Sequence, residues 1–218
     1  MNIVTPYAKM MDVPDQEAGI VLLRKIEWCG RISHRSEEAQ IDYSWEKFLR
    51  NVVLSHGDWS ITEHASVTVD ATVDRGVSHE WVRHRLGSYT QESTRFVNYQ
   101  KKLPARFIQP SDLPDDCHAL WHQTIASCEA GYATLIAKGV TPQIARSLFP
   151  NALSSRLVVT YNLRNWRHFF LMRTTRESHP QMREVAIPLL QEFQRKIPLL
   201  YEDIEPGARQ ADNLMKPR

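Results

Sequence analysis

Between Arg83 and Arg95 the chain packs Arg83, His84, Arg85, Ser88, Tyr89, Thr90, Gln91, Glu92, Ser93, Thr94 and Arg95 into thirteen residues. Three guanidinium groups in so short a stretch suit an oxyanion, because the planar fork of arginine grips phosphate oxygens in pairs where lysine offers a point charge. Arg83 and Arg85 are two apart, so on a helix they would face different sides and serve two ligands, or two parts of one. A solvated basic helix followed by a polar loop is the plainer reading of the same residues.

A second concentration lies downstream. Helical projection of Arg164 to Arg173 sets Trp166, Phe169, Phe170 and Arg173 on one face. A guanidinium within an apolar stripe is costly unless it is paired, stacked or awaiting an anion. The competing account is an end-of-helix arginine that reaches back to water. Arg164 and His168 are four apart and share the opposite face, while Arg146, in the helix before Phe149-Pro150, has surface exposure as its default. His64 follows Glu63 just before a strand, and serves either as a hydrogen-bonding group at a sheet edge or as a structural histidine.

Other chemistries lack their residues. The nine histidines form no HExxH, no HxH and no Cys-His cluster of ligand spacing, so no metal site is expected. Neither GxGxxG nor GxxxxGK[ST] occurs, and Ser93 has no GxSxG setting. An enzyme built on this chain would therefore work through arginines and a bound cofactor.

Lys plus Arg exceed Asp plus Glu by 27 − 25 = 2, too little charge to hold a long polyanion by phosphate neutralisation alone. Any anion is bound locally. Cys29, Cys117 and Cys128 form no CxxC pair, which fits a reducing compartment. No basic-then-apolar leader and no apolar run of membrane-spanning length is present, so a cytoplasmic protein without membrane contact is expected.

The elements that must position these residues follow from periodicity. Glu17 to Ile32 has helical apolar spacing, and Ser44 is expected to cap a second helix that runs through Trp45, Phe48, Leu49, Val52 and Val53 to His56-Gly57. Ala65 to Asp74 alternates strictly, with Ala65, Val67, Val69, Ala71 and Val73 on one face and Ser66, Thr68, Asp70, Thr72 and Asp74 on the other, which predicts a half-buried strand. A turn at Arg75-Gly76, a short helix capped by Ser78 and carrying Trp81 to Leu86, and an extended Arg95 to Tyr99 come next. Leu120 to Lys138 reads as a long helix stopped at Gly139, and Thr141-Pro142 opens a short one ended by Pro150. Leu157 to Tyr161 predicts a strand, Arg164 to Met172 a helix, and Gln181 to Tyr201 a last helix kinked at Pro188. The expected class is α+β: one domain over 1–218, with helices packed on a small, mainly antiparallel sheet.

The residues now in hand resemble a known family. Arg83-His84-Arg85, seven residues, then Ser93 is similar to the signature of flavin-dependent thymidylate synthases. Glu63-His64 before an alternating strand, Ala145-Arg146-Ser147-Leu148-Phe149-Pro150, Asn162-Leu163-Arg164, His168, Arg173 and His179-Pro180-Gln181 follow in the family's order, so that the likeness covers roughly Val53 to Tyr201.

The resemblance implies a homotetramer with active sites where subunits meet, FAD and dUMP stacked together, methylenetetrahydrofolate as carbon donor and NADPH as reductant. It implies FAD contacts from His64, Ser66, Arg83, His84, Arg85, Gln91, Asn162, Arg164, His168 and His179. Around dUMP it implies Glu80, Arg83, Gln91, Ser93, Arg95, Arg146 and Arg173. Arg173 would polarise the uracil ring as the catalytic residue, and no cysteine nucleophile would be needed. Glu80 stands where the family usually has Gln, Thr90-Gln91 where Asn-Glu is common, and Phe96 where Tyr is common; the gap from Arg173 to His179 is also longer than in some members.

Two rivals stand beside it. In an RNA- or single-strand-binding module, Arg83, Arg85 and Arg95 would meet phosphates while Tyr89, Phe96 and Tyr99 stack bases. A flavoprotein of the same fold with a changed substrate is the other, motivated by Glu80.

Overall fold

Asp15 accepts a hydrogen bond from the Ala18 amide at 2.9 Å and so opens the first long helix, as short acceptor side chains do at helix starts. The structure is a computed structural model and describes residues 1–101, 104–209 and 211–212. Its strands are β1 (Asn2–Ile3), β2 (Tyr7–Met10), β3 (Ser66–Asp74), β4 (Ser88–Gln91), β5 (Arg106–Phe107) and β6 (Ser154–Asn162). Its helices are α1 (Gln16–Ile32), α2 (Ser44–Leu49), α3 (Arg75–Trp81), α4 (His118–Ala137), α5 (Pro142–Ala145), α6 (Leu163–Arg173) and α7 (Pro180–Lys196). The four-stranded sheet has the order β2-β3-β6-β4, and β1 pairs in parallel with β5. The class is α+β with a small antiparallel sheet, as expected. Among the described residues no helix is long and apolar enough to cross a membrane.

The chain divides into two compact units. The first comprises Met1–Tyr7, Ala71–Arg83 and Tyr89–Val158. Its core gathers Tyr99, Phe107, Ile125, Tyr132, Ala145 and Leu153, with Phe149 stacked on Tyr132 at 4.4 Å. Gly139, at φ +83°, ends α4 in the left-handed conformation that glycine adopts without strain.

The second unit comprises Ala8–Asp70, His84–Ser88 and Val159–Arg218. Trp166, Phe169 and Phe170 of α6 pack with Phe193 of α7 and with Tyr201, and all five are fully buried. Aromatic rings meeting edge to face add about 0.5–1.5 kcal/mol per pair beyond burial. α7 carries Pro188 inside it as expected, but ends at Lys196 rather than Tyr201. Pro198 accounts for the earlier stop, because it pushes the residue before it out of the helical region.

Several local expectations are corrected. Ser44 is the first residue of α2 rather than its cap, since its hydroxyl bonds back to Ile41, and the expected continuation is a π-helical turn, Arg50–Ser55. No turn separates Arg75-Gly76 from a Ser78-capped helix: α3 begins at Arg75, because Asp74 accepts from the Val77 amide at 2.9 Å, and it ends at Trp81. Arg83 and Arg85 therefore follow a helix instead of lying on one. Residues 95–99 form no strand: the chain turns at 94–96, closed by the Phe96 and Val97 amides donating to the Ser93 carbonyl. β3 is not polar on one face throughout, because from Asp70 onward both faces are buried.

Candidate functional site

In the second unit, α6 and the residues before β4 bring the predicted groups together. Asn162 caps α6 by accepting from the Asn165 amide at 2.8 Å, and the helical period then places Arg164 and His168 on one exposed face. Arg164 is held by Glu63, Nη1 to Oε1 at 2.6 Å. Glu63 and His64 end a 3-10 turn, Trp59–His64, and His64 and Ser66 are both exposed.

Asn165 donates to the Leu86 carbonyl at 2.8 Å, which fastens the Arg-His-Arg stretch to α6. Gly87 makes the approach possible, since a Cβ there would run into the Tyr161 ring. Arg85, directly before these two points of attachment, is exposed.

His84 is the centre of this arrangement. Its Nε2 accepts from Arg173 Nε at 2.9 Å, and its ring meets Phe169 edge-on at 5.1 Å and His168 at 5.7 Å. Burial, and next the electrostatic influence of Arg173 and of His168, lower its pKa from 6.5 to about 4. The imidazole is thus neutral at pH 7, with its proton on Nδ1 and its Nε2 lone pair turned to Arg173. Arg173 ends α6 half-buried beside the fully buried Phe169 and Phe170, so the guanidinium in the apolar stripe is a tethered group rather than one merely reaching for water.

A cleft of about 350 Å³ is lined by Trp59, Leu86, Arg164, Asn165, Arg167, His168 and Leu171. Of the expected cofactor residues it includes Arg164 and His168. Trp59, Leu86, Asn165, Arg167 and Leu171 are additions that the sequence reading missed. Arg167 carried no signal because nothing in sequence pairs it with Asp203, which binds it through both oxygens at 2.7 and 2.6 Å. His179 lies apart from this lining, where its Nδ1 caps α7 by accepting from the Gln181 amide.

In the first unit, the segment from the last residue of β4 onward is pinned at successive residues. Gln91 donates to the Ser78 and Ser155 hydroxyls, both at 2.9 Å. Glu92 accepts from the Tyr99 hydroxyl at 2.8 Å, and burial and this carboxylate push the Tyr99 phenol well above its ordinary range. Thr94 accepts from Arg146 Nη1 at 2.9 Å, and Ser93 Oγ accepts from the Arg95 amide at 3.4 Å. The Arg95 guanidinium stands over the exposed Phe96 ring at 5.3 Å. Glu80 is half-buried on α3, and Arg83 is exposed just past it.

The predicted residues fall unevenly between the two units. The second carries all the expected cofactor contacts except Arg83 and Gln91, and the first carries all the expected substrate contacts except Arg173. Among the described residues no cluster of His, Cys, Asp and Glu could hold a metal ion.

Residues 21–199 match the family described as "Thymidylate synthase complementing protein". The chain is 28% identical to the flavin-dependent thymidylate synthase of Geobacter sulfurreducens, over 92% of this chain and 87% of that one. It is 30% identical to that of Mycobacterium bovis over the same shares, and 31% to that of Pyrococcus furiosus over 84% and 77%. Its fold resembles the crystal structure of the UMP/dUMP methylase PolB from Streptomyces cacaoi bound with 5-Br dUMP, with a TM-score of 0.73 at 22% identity over 93% of this chain and 96% of that one. The match over residues 21–199, together with relatives at 30% identity across most of the chain, shows that this protein belongs to the thymidylate synthase complementing protein family and is an enzyme of the methyltransferase type.

Proposed function

We propose that the chain is a flavin-dependent thymidylate synthase that methylates dUMP reductively to dTMP, with methylenetetrahydrofolate as carbon donor and NADPH as reductant. It would act in the cytoplasm as one catalytic domain over 1–218, in a homotetramer whose active sites lie where subunits meet. The observation that carries the reading is the Arg173–His84 hydrogen bond, which joins the proposed catalytic arginine to the middle residue of the Arg-His-Arg motif.

FAD, when bound, supplies the redox chemistry and mediates the one-carbon transfer, and no cysteine is among the residues lining the cleft beside α6. Its fit rests on the cleft beside α6, where Arg164 and His168 offer cationic and hydrogen-bonding groups and Leu86, Trp59 and Leu171 an apolar wall. Arg83, His84, Arg85, Asn162, His64, Ser66, Gln91 and His179 complete the proposed cofactor set. Gln91, Ser93, Arg95 and Arg146, with Glu80 and Arg83, are assigned to dUMP, the arginines toward its phosphate.

Arg173 holds a positive charge at the uracil and stabilises negative charge that develops on the ring. Half-burial beside Phe169 strengthens that pull by lowering the local dielectric. His84 keeps Nε of the guanidinium occupied and so fixes the direction in which its remaining N–H groups point.

The base-stacking alternative loses support from the rings it needs. Tyr99 is buried and bonded to Glu92, and Tyr89 is half-buried with its hydroxyl on the Trp81 carbonyl, which leaves Phe96 as the exposed ring of the three.

Visible absorption of the purified protein incubated with FAD tests the proposal. Retained oxidised-flavin bands that shift on addition of dUMP are expected. A protein that takes up no flavin would overturn the reading.

A further inference from the structure

The 3-10 turn that ends in Glu63 and His64 begins with Trp59, which is 3% exposed and borders the α6 cleft. Three features set this indole apart from an ordinary core tryptophan. Arg167 stands over its ring at 4.5 Å. That guanidinium is itself held, bound to both oxygens of Asp203 and, at 2.7 Å, to the Leu200 carbonyl. The indole N–H is buried and has no acceptor among the described residues. Leaving such a donor unpaired is costly, and a ligand or a water that completes the structure would account for it.

The ring also walls a smaller cavity of about 160 Å³ with Leu54, Arg167, Leu199, Glu202 and Asp203. It is therefore a partition with space beside it, clamped by a fixed cation. Leu86 and Leu171 line the larger cleft, and Arg164 and His168 stand among them. A flat nitrogen heterocycle carrying an anionic tail matches this set: the ring against Trp59 and the leucines, the charge toward Arg164.

Resting on the flavin reading above, we propose that Trp59 is a positioning residue for FAD, packing against a ring of the flavin nucleotide and donating its indole N–H to an acceptor on that ring. The Arg167–Asp203 pair acts behind it, holding the indole so that little side-chain freedom is lost when the cofactor arrives.

The test compares FAD dissociation constants of wild type, Trp59→Phe and Trp59→Ala, read from flavin fluorescence without substrate or turnover. Trp59→Phe keeps an apolar ring and loses the N–H, and a roughly three- to tenfold weaker constant is expected; Trp59→Ala is expected to lose more than about tenfold. If Trp59→Ala does not fold, Trp59→Phe decides alone. Wild-type affinity in Trp59→Phe, with FAD still bound by the parent protein, would overturn the role of Trp59 and leave the flavin reading standing. Failure of the wild type itself to bind FAD would remove both.

Discussion

Arg173 Nε donates to His84 Nε2 at 2.9 Å, so the last residue of α6 is tied to the middle of the Arg-His-Arg motif, 89 residues earlier in the chain. The bond requires an unprotonated His84 Nε2. Neutrality of His84 is therefore part of how Arg173 is aimed.

Arg173→Ala is expected to fold and to retain FAD while losing about a hundredfold or more in methyl transfer, the magnitude typical of removing one donor from a developing negative charge. Turnover near that of the wild type in a steady-state dTMP assay would take Arg173 out of its role.

The lowered pKa of His84 makes a prediction about acid. Its folded value, about 4, lies below its unfolded value of 6.5, so its contribution to stability is fully present above 6.5 and is lost as pH falls from there through 4. Urea midpoints across that window should fall less steeply in His84→Gln than in the wild type. Removing the neighbouring charge in Arg173→Ala should move the His84 titration, followed by NMR, back toward 6.5.

Arg83→Ala/Arg85→Ala is expected to emerge from purification without flavin. Full flavin occupancy of the double variant, measured by absorbance, would count heavily against the cofactor assignment.

Glu63→Gln separates a binding role from a stabilising one. The Glu63–Arg164 pair is about half exposed on each side, so its loss should change stability by no more than about 1 kcal/mol. If the pair orients Arg164 toward the cofactor, FAD affinity should weaken severalfold while the thermal midpoint stays in place.

Gly87→Ala should be disproportionately damaging for so small a change. Its Cβ would overlap the Tyr161 ring and approach the Thr160 carbonyl oxygen at 2.9 Å, at a cost of roughly 1–3 kcal/mol if the strand yields. A denaturation midpoint equal to that of the wild type would show that the stretch from His84 to Ser88 has room to move.

The sequence made the long helices and the first long strand legible, α1, α6 and β3 because they repeat one apolar spacing over many residues and α4 because Gly139 marks its stop. α1, α4 and α6 lie within a few residues of their expected bounds, and β3 begins one residue late. Short elements defined by a single hydrogen bond were not legible. α3 starts where Asp74 accepts from Val77, and β4 is a four-residue strand in a segment whose polar residues read as a loop. The alternation of Asp70, Thr72 and Asp74 misled for a related reason, since a period of two distinguishes the faces of a strand without saying that one of them meets water. In the site, the Arg-His-Arg stretch and the face shared by Arg164 and His168 could be read from spacing. Trp59, Arg167 and Asp203 could not, because their association depends on contacts between residues 36 and 108 positions apart.

The Arg167–Asp203 pair also bears on where the polypeptide can safely be shortened. A truncation just beyond α7 would spare every helix and every residue assigned to a ligand, yet it would delete the carboxylate that anchors Arg167. A guanidinium that is only 4% exposed would then lie without its counter-charge. Residues 197–203 thus behave as a latch on Arg167 beside the α6 cleft, and fusion partners or affinity tags belong beyond Asp203.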